Sequence, residues 1–383
     1  MGIAVHGFCD ERFHTLRDAF IANFDEGLEI GASLGVTWRG RMVVDLWGGW
    51  ANPKRTRLWK KNTIVPVASV TKIMLLMSVL MLVDRGRITL DEPVCRYWPA
   101  FAQGGKDKVT VRDFITHQGG VPGFVPNATF DELLDWKRAT AHLAAQPHRF
   151  GGKKVLCYHP ITYGYVLGEL IRRVDGRMPA RFFREEIAQK ANADFHMGLS
   201  SWLDLFRVAE PTPFLPPTLE ENPLAFELIS STPLLEGNTR TWKFVSASIP
   251  SFLGFGNGRS IARLCAIFAM QGRLGWRRYL SKRMVAEAAR EQIYGEDLYI
   301  GMIRWGLGFG LDSKDFPAPS PTSFHWGGVG GSWGVMDPKS QVSLGYAPNN
   351  FLPGAGAAMD PRLARFNAEL TKLMPTLSRC VKV

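Results

Sequence analysis

The sequence predicts an α+β fold, in which an antiparallel sheet is flanked by N- and C-terminal helices and joined to a mostly helical lobe. Three observations carry this. Strand-like segments gather near both chain ends, at 32–51 and again at 305–312, 323–338 and 343–350. Helical periodicity opens the chain at 10–27 and closes it at 361–374. The stretch between, about 87–250, is loop-rich and mostly helical, so the two ends are expected to build one sheet and the middle a second lobe. The expected organisation is a single domain over 1–383, with an α/β lobe of about 1–66 and 275–383 and a helical lobe of about 67–274.

The elements follow in order. Phe13, Leu16, Phe20, Ile21 and Phe24 repeat at helical spacing. ASLGVTWRGRMVVDLWGGWA (32–51) reads as two strands turned at Arg39-Gly40-Arg41. In PVASVTKIMLLMSVLMLVDRG (66–86), Ser69 is placed to cap a dense apolar helix over Thr71 to Val83, ended by Asp84-Arg85-Gly86. A helix this apolar belongs in the centre of the molecule. Residues 161–173 and 259–273 read as further helices. The proline-rich 208–240 segment reads as an irregular insertion near the site.

Composition narrows the function classes. The chain has 383 residues, 46% of them hydrophobic, which excludes a disordered chain. The longest apolar run, Ile73 to Val83, is too short to span a membrane. The start, MGIAVHGFCDERFHTL, has no signal-peptide pattern, and His6 stands where a myristoylation signal needs Ser or Thr. The net charge of +11 is spread in short groups such as PKRTRLWKK (53–61) rather than interleaved with aromatics, so it reads as a solvated surface and not a nucleic-acid site. Cys9, Cys95, Cys157, Cys265 and Cys380 are single and odd in number. That pattern points to a reducing compartment, hence a cytoplasmic protein, and against disulfides or a zinc site.

Three segments hold candidate chemistry. Ser69 and Lys72 lie three apart at the start of the apolar helix, on one face. A buried lysine loses hydration, its pKa falls, and its neutral amine can take a serine proton. A serine followed by a lysine at this spacing is expected about once by chance in such a chain, so the pair alone also fits a cap and a snorkelling lysine. VLCYHPITYGYVLGELIRR (155–173) brings Tyr158, Tyr163 and Tyr165, any of which could pack in the core or shuttle a proton beside a lysine. HWGGVGGSWG (325–334) has more glycines than an ordinary strand tolerates, which fits either a twisted strand or close backbone approach to a ligand.

These elements, in this order, resemble the serine β-lactamase and penicillin-binding-protein superfamily, in particular the class C-like carboxylesterases called family VIII esterases. S-V-T-K (69–72) matches its S-x-x-K, T-H-Q-G-G-V-P (116–122) its T-H-x-x-G-(L/V)-P loop, Y-H-P (158–160) its tyrosine element, and W-G-G (326–328) its third element. The resemblance covers most of the chain. It implies a β-lactamase-like fold and a serine carboxylesterase for short-chain neutral esters, with no cofactor or metal and a small-molecule ester as partner. It further implies that Ser69 is the nucleophile, that Lys72 and Tyr158 move protons, and that the backbone N–H groups of Ser69 and Val329 form the oxyanion hole. Trp326, Gly327, Gly328 and Phe124 are expected to line the substrate site, with parts of 208–240 beside Trp326.

Two departures bear on specificity. Relatives acting on penicillins or peptidoglycan usually carry a cation where this chain has Trp326, although a one-residue slip would put His325 there. Pro160 stands where β-lactamases of this class have asparagine. Both favour neutral esters. An acyltransferase, a β-lactamase or D,D-peptidase, and a catalytically silent binding protein on the same fold remain the alternatives.

Overall fold

Arg39 and Gly40 both adopt positive φ (53° and 73°), the backbone a tight hairpin demands, and so the first two long strands fold directly onto each other. These strands, Gly31–Trp38 and Arg41–Gly49, belong to a nine-stranded, wholly antiparallel sheet. Its spatial order is Val5–Cys9, Arg41–Gly49, Gly31–Trp38, Val342–Pro348, Ser332–Asp337, Phe324–Gly328, Gly310–Leu311, Gly301–Trp305 and Ile293–Asp297. The two chain ends therefore meet at the centre of the sheet, where Gly31–Trp38 pairs with Val342–Pro348. The computed structural model describes residues 3–214, 218, 220–233, 241–352 and 360–381.

Each face of the sheet is covered. On one face, helices His14–Asp25 and Pro361–Arg379 pack together and bury Phe13, Phe20, Phe366 and Leu370 against Leu34, Val36 and Leu344. On the other lies helix Gly258–Ala269, capped by the Asn257 side chain accepting from Ser260 N–H. It sits unusually close, because Gly35, Gly258 and Gly345 meet backbone to backbone. A Cβ on Gly345 would come within 2.3 Å of the Gly258 carbonyl oxygen. This helix was expected in the helical lobe. Its contacts are with the sheet, so we propose that the α/β lobe includes it and that the boundary falls just before Gly258.

The helical region is organised around Thr71–Asp84. Every residue from Thr71 to Leu82 is buried, as a helix apolar on all sides requires, with Thr71, Lys72 and Ser78 the polar exceptions. Thr162–Asp175 and Pro179–Phe183 pack on it. Several elements differ from expectation, among them strand Gly301–Trp305, which was not foreseen, and the 323–338 segment, which is a hairpin of two strands. Val5–Cys9 and Ile293–Asp297 are the two edge strands of the sheet, and their short, largely exposed sequences, VHGFC and IYGED, carry no apolar–polar alternation to read. The 305–312 segment is split by a turn between Trp305 and Gly310.

Candidate active site

The turn that carries Ser69 is built before the helix begins. A small three-stranded sheet pairs Val65–Pro66 with Gly254–Gly256, and Val67 N–H donates to the Gly254 carbonyl. Ala68 then takes a positive φ of 44°, a left-handed conformation that costs a non-glycine residue about 1 kcal/mol or more. Ala68–Val70 forms one 3₁₀ turn, and the α-helix starts at Thr71 without a side-chain cap. The expectation that Ser69 caps the helix is therefore corrected. Its hydroxyl makes no capping bond to the helix and is available for other contacts, and Ser69 stays partly exposed among buried neighbours.

Two side chains converge on that hydroxyl. Lys72 Nζ stands 3.1 Å from Ser69 Oγ, and the Tyr158 hydroxyl donates to the same oxygen at 2.9 Å. Lys72 is buried, and Nζ also donates to the carbonyls of Pro160 (2.7 Å) and Ser251 (2.9 Å). Burial lowers its pKa well below the ordinary lysine value. A neutral amine keeps two N–H bonds and one lone pair. The two carbonyls engage the two N–H bonds, which leaves the lone pair for Ser69. Burial pushes the Tyr158 hydroxyl the other way, further up than its bond to Ser69 lowers it, so Tyr158 keeps its proton at neutral pH.

Tyr158 is held by groups from distant parts of the chain. Its N–H donates to Asp297 Oδ1 at 3.0 Å, which also accepts from Tyr299 N–H at 2.9 Å. The next residue, His159, donates its N–H to His117 Nδ1 and accepts the Val121 N–H at Nε2. His117, at φ 62°, packs its ring 4.7 Å from the Tyr158 ring. Burial holds both histidines well below the usual imidazole range, hence neutral. The 116–122 loop is thus a clamp on the tyrosine segment. Tyr163 and Tyr165 point elsewhere, donating to the carbonyls of Ile115 and Leu133.

The strand Phe324–Gly328 passes beside the Ser69 turn. A Cβ on Gly328 would lie 2.5 Å from the Val67 carbonyl oxygen and 3.0 Å from Ser69 N, so only glycine fits there. The neighbouring strand ties in through Ser332 Oγ, which donates to Val67 O at 2.7 Å. Among the described residues, neither the Ser69 nor the Val329 N–H donates to a protein acceptor.

Alternation along this strand decides its register. Trp326 faces the site, its ring 5.4 Å from Tyr158 and 4.7 Å from Trp305. Its indole N–H lies close to the Tyr158 hydroxyl, where it acts to lower that hydroxyl's pKa. His325 points to the opposite face, stacked on Phe316 and accepting from Trp333 Nε1 at 3.0 Å. Burial holds it down to about 3, so it is a neutral core histidine.

Of the residues expected here, Ser69, Lys72, Tyr158, Trp326 and Gly328 come together, with Gly327 between the last two on the same strand. Phe124 does not join them. Its ring packs on His142 and Tyr165, and it lines a separate crevice with Gln146, Leu228 and Ser231. The cis Val125-Pro126 bond follows it directly. The aromatic neighbours of Trp326 and Tyr158 are instead Trp305, Phe316 and Tyr299. Of the 208–240 segment, residues 215–217, 219 and 234–240 lie outside the described residues. Its described part reaches the site's margin, where Asn222 Nδ2 donates to Tyr299 O. Among the described residues, no group of three or more His, Cys, Asp or Glu is placed to hold a metal ion, and no helix is long and apolar enough to cross a membrane.

The beta-lactamase family profile matches residues 19–369. The chain belongs to the beta-lactamase family. Within it, the chain is 31% identical over 369 residues to the esterase/beta-lactamase LipL of Mycobacterium tuberculosis, covering 92% of this chain and 84% of that one. It is 27% identical to the esterase EstB of Burkholderia gladioli, over 82% of this chain and 86% of the relative. A family VIII carboxylesterase crystal structure superimposes with a TM-score of 0.87 at 35% identity, over 98% of this chain and all of that one. A penicillin-binding-protein homologue from Caulobacter crescentus gives the same TM-score at 33% identity, with the same coverage. The beta-lactamase-like fold expected from the motifs is the fold the chain adopts.

Proposed function

We propose that this beta-lactamase-family protein is a serine carboxylesterase that hydrolyses short-chain neutral esters through an acyl-enzyme on Ser69. The observation that carries the reading is the placement of one hydroxyl, Ser69 Oγ, between a desolvated lysine amine and a protonated tyrosine. Lys72 takes the Ser69 proton as Oγ attacks the ester carbonyl. The Ser69 and Val329 N–H groups receive the developing oxyanion, a contribution of about 3–4 kcal/mol per donor in comparable sites. Tyr158 gives its proton to the leaving alkoxide, and the nearby Lys72 ammonium, 4.9 Å from its ring, stabilises the tyrosinate and restores the proton. Water then attacks the acyl-enzyme with the same groups acting in reverse.

The aromatic wall of Trp326, Trp305 and Tyr158 supports the substrate class. An indole at the position facing Tyr158 cannot pair a substrate carboxylate, and burying that carboxylate unpaired is costly. The names of the relatives support an esterase, and one of them, esterase/beta-lactamase, keeps lactam hydrolysis as the second reading. The test is kcat/KM for p-nitrophenyl butyrate against nitrocefin. A clear preference for the ester is expected; a preference for nitrocefin would reverse the assignment. The five unpaired cysteines fit a reducing compartment, so we place the protein in the cytoplasm, to be checked by cell fractionation.

A further inference from the structure

The hairpin between Phe324–Gly328 and Ser332–Asp337 turns through Val329, Gly330 and Gly331. Both glycines hold positive φ, 95° and 92°. Two adjacent glycines give the chain wide conformational freedom, and the Val329 N–H sits immediately before them. Something must hold this turn if that N–H is to point at one place.

The structure places a fully buried arginine against it. Arg362, in the first turn of the C-terminal helix, donates from Nη2 to the Gly330 carbonyl at 2.9 Å. The guanidinium is aligned by Asp360, which accepts from Nε at 3.0 Å and from Nη2 at 2.6 Å. Nη1 donates to the Asn350 carbonyl at 2.8 Å and lies 3.3 Å from Glu29 Oε2. Arg362, Asp360 and Glu29 are all essentially unexposed. The turn is also packed against these groups. A Cβ on Gly331 would fall 2.2 Å from Arg362 Nη2, and one on Gly330 would fall 2.2 Å from the Phe351 ring. Every N–H of the guanidinium is engaged, so Arg362 has no donor left for a substrate.

We propose that Arg362 is a positioning residue for acyl transfer, fixing the glycine turn so that the Val329 N–H stays directed at the Ser69 site. The proposal rests on reading Ser69 and Val329 as the oxyanion donors. A buried arginine with two carboxylates could serve stability alone. What distinguishes it is that one of its bonds goes to the carbonyl of Gly330, the residue after the proposed donor, from an element with no other part in the site. Asp360 contributes at one remove: it also caps the helix, accepting from Arg362 N–H at 2.9 Å, so the helix start and the turn form one unit.

The test compares R362K and R362M with wild type by thermal melting, steady-state kinetics on p-nitrophenyl butyrate, and inhibition by an alkyl boronic acid that forms a tetrahedral adduct on serine. Expected for folded variants is a fall in kcat of about 10–100-fold, KM within about twofold, and a parallel loss of boronate affinity, since removing one oxyanion donor outright costs about 10²–10³ in kcat. R362K, which can still reach one carbonyl, should lose less than R362M. If R362M does not fold, D360N, which keeps the shape and an oxygen able to cap the helix but weakens the carboxylate aligning the guanidinium, is measured in the same way. Folded variants with unchanged kcat and boronate affinity, or with a change in KM alone, overturn the proposal. Failure of the underlying reading has a separate signature: wild type itself would then form no boronate or acyl adduct on Ser69.

Discussion

Lys72 Nζ lies 3.1 Å from Ser69 Oγ while two backbone carbonyls, Pro160 and Ser251, occupy its other contacts. The active form in this arrangement is the neutral amine. Burial lowers the Lys72 pKa well below 10.5, so the neutral fraction grows as pH rises through that lowered value. The pH profile of kcat/KM should therefore have an ascending limb well below 10.5. Lys72→Met should lose activity by about a hundredfold or more, within the range typical of a lost general base. Linkage adds a stability signature. In the window between the lowered folded value and the unfolded value the unfolded chain binds the extra proton, so stability contributed by this site rises with pH. Melting curves of wild type and Lys72→Met should converge as pH falls or reverse in order, because the variant removes a buried charge. Parallel melting curves across the window contradict this.

Tyr158→Phe should lower kcat by about 10²–10⁴-fold, the usual worth of a positioned proton donor. Tyr163→Phe, which loses only a bond to the Ile115 carbonyl, should cost about 1 kcal/mol of stability and leave turnover near wild type. Comparing kcat and the melting temperature of the two variants separates the roles. Equal turnover in both would remove Tyr158 from the mechanism.

The specificity argument singles out Trp326. Trp326→Lys should lower the ratio of kcat/KM for p-nitrophenyl butyrate to that for nitrocefin by about tenfold, since it puts a cation where the wall is apolar. His325→Ala should leave this ratio unchanged, because His325 lies on the other face of the strand, where it accepts from Trp333 Nε1. The opposite pattern would mean that the strand register at the site is read wrongly.

Much of the site was legible because its chemistry is local. Ser69 and Lys72 share one turn, and Tyr158 stands in a short motif of its own. The clamp around Tyr158 was not legible. His117 and the Asp297–Tyr299 segment lie far from Tyr158 in the chain, and no spacing links the three segments before it folds. His117 does lie within the quoted 116–122 motif, but nothing local predicts that it accepts the His159 N–H. Phe124, expected beside Trp326, packs on His142 instead, a contact across the fold that no local pattern in the sequence announces. For the fold, apolar periodicity revealed the buried helices and central strands. The edge strands Val5–Cys9 and Ile293–Asp297 carry no such signal, because an edge strand is short and half-exposed and need not alternate apolar with polar residues. The packing of helix Gly258–Ala269 on the sheet, from which we propose its place in the α/β lobe, depends on three glycines separated in the chain, Gly35, Gly258 and Gly345, and so has no local signal.

The central claim is a covalent acyl group on Ser69. The direct measurement is intact-protein and peptide mass spectrometry after acid quench during turnover of p-nitrophenyl butyrate, on wild type and Ser69→Ala. The Ser69 hydroxyl caps nothing, so the variant should melt close to wild type while losing at least about a hundredfold in activity. The account predicts one butyryl adduct in wild type, mapped to the peptide containing Ser69, and none in Ser69→Ala. An adduct on another residue, or Ser69→Ala retaining full activity, would contradict it.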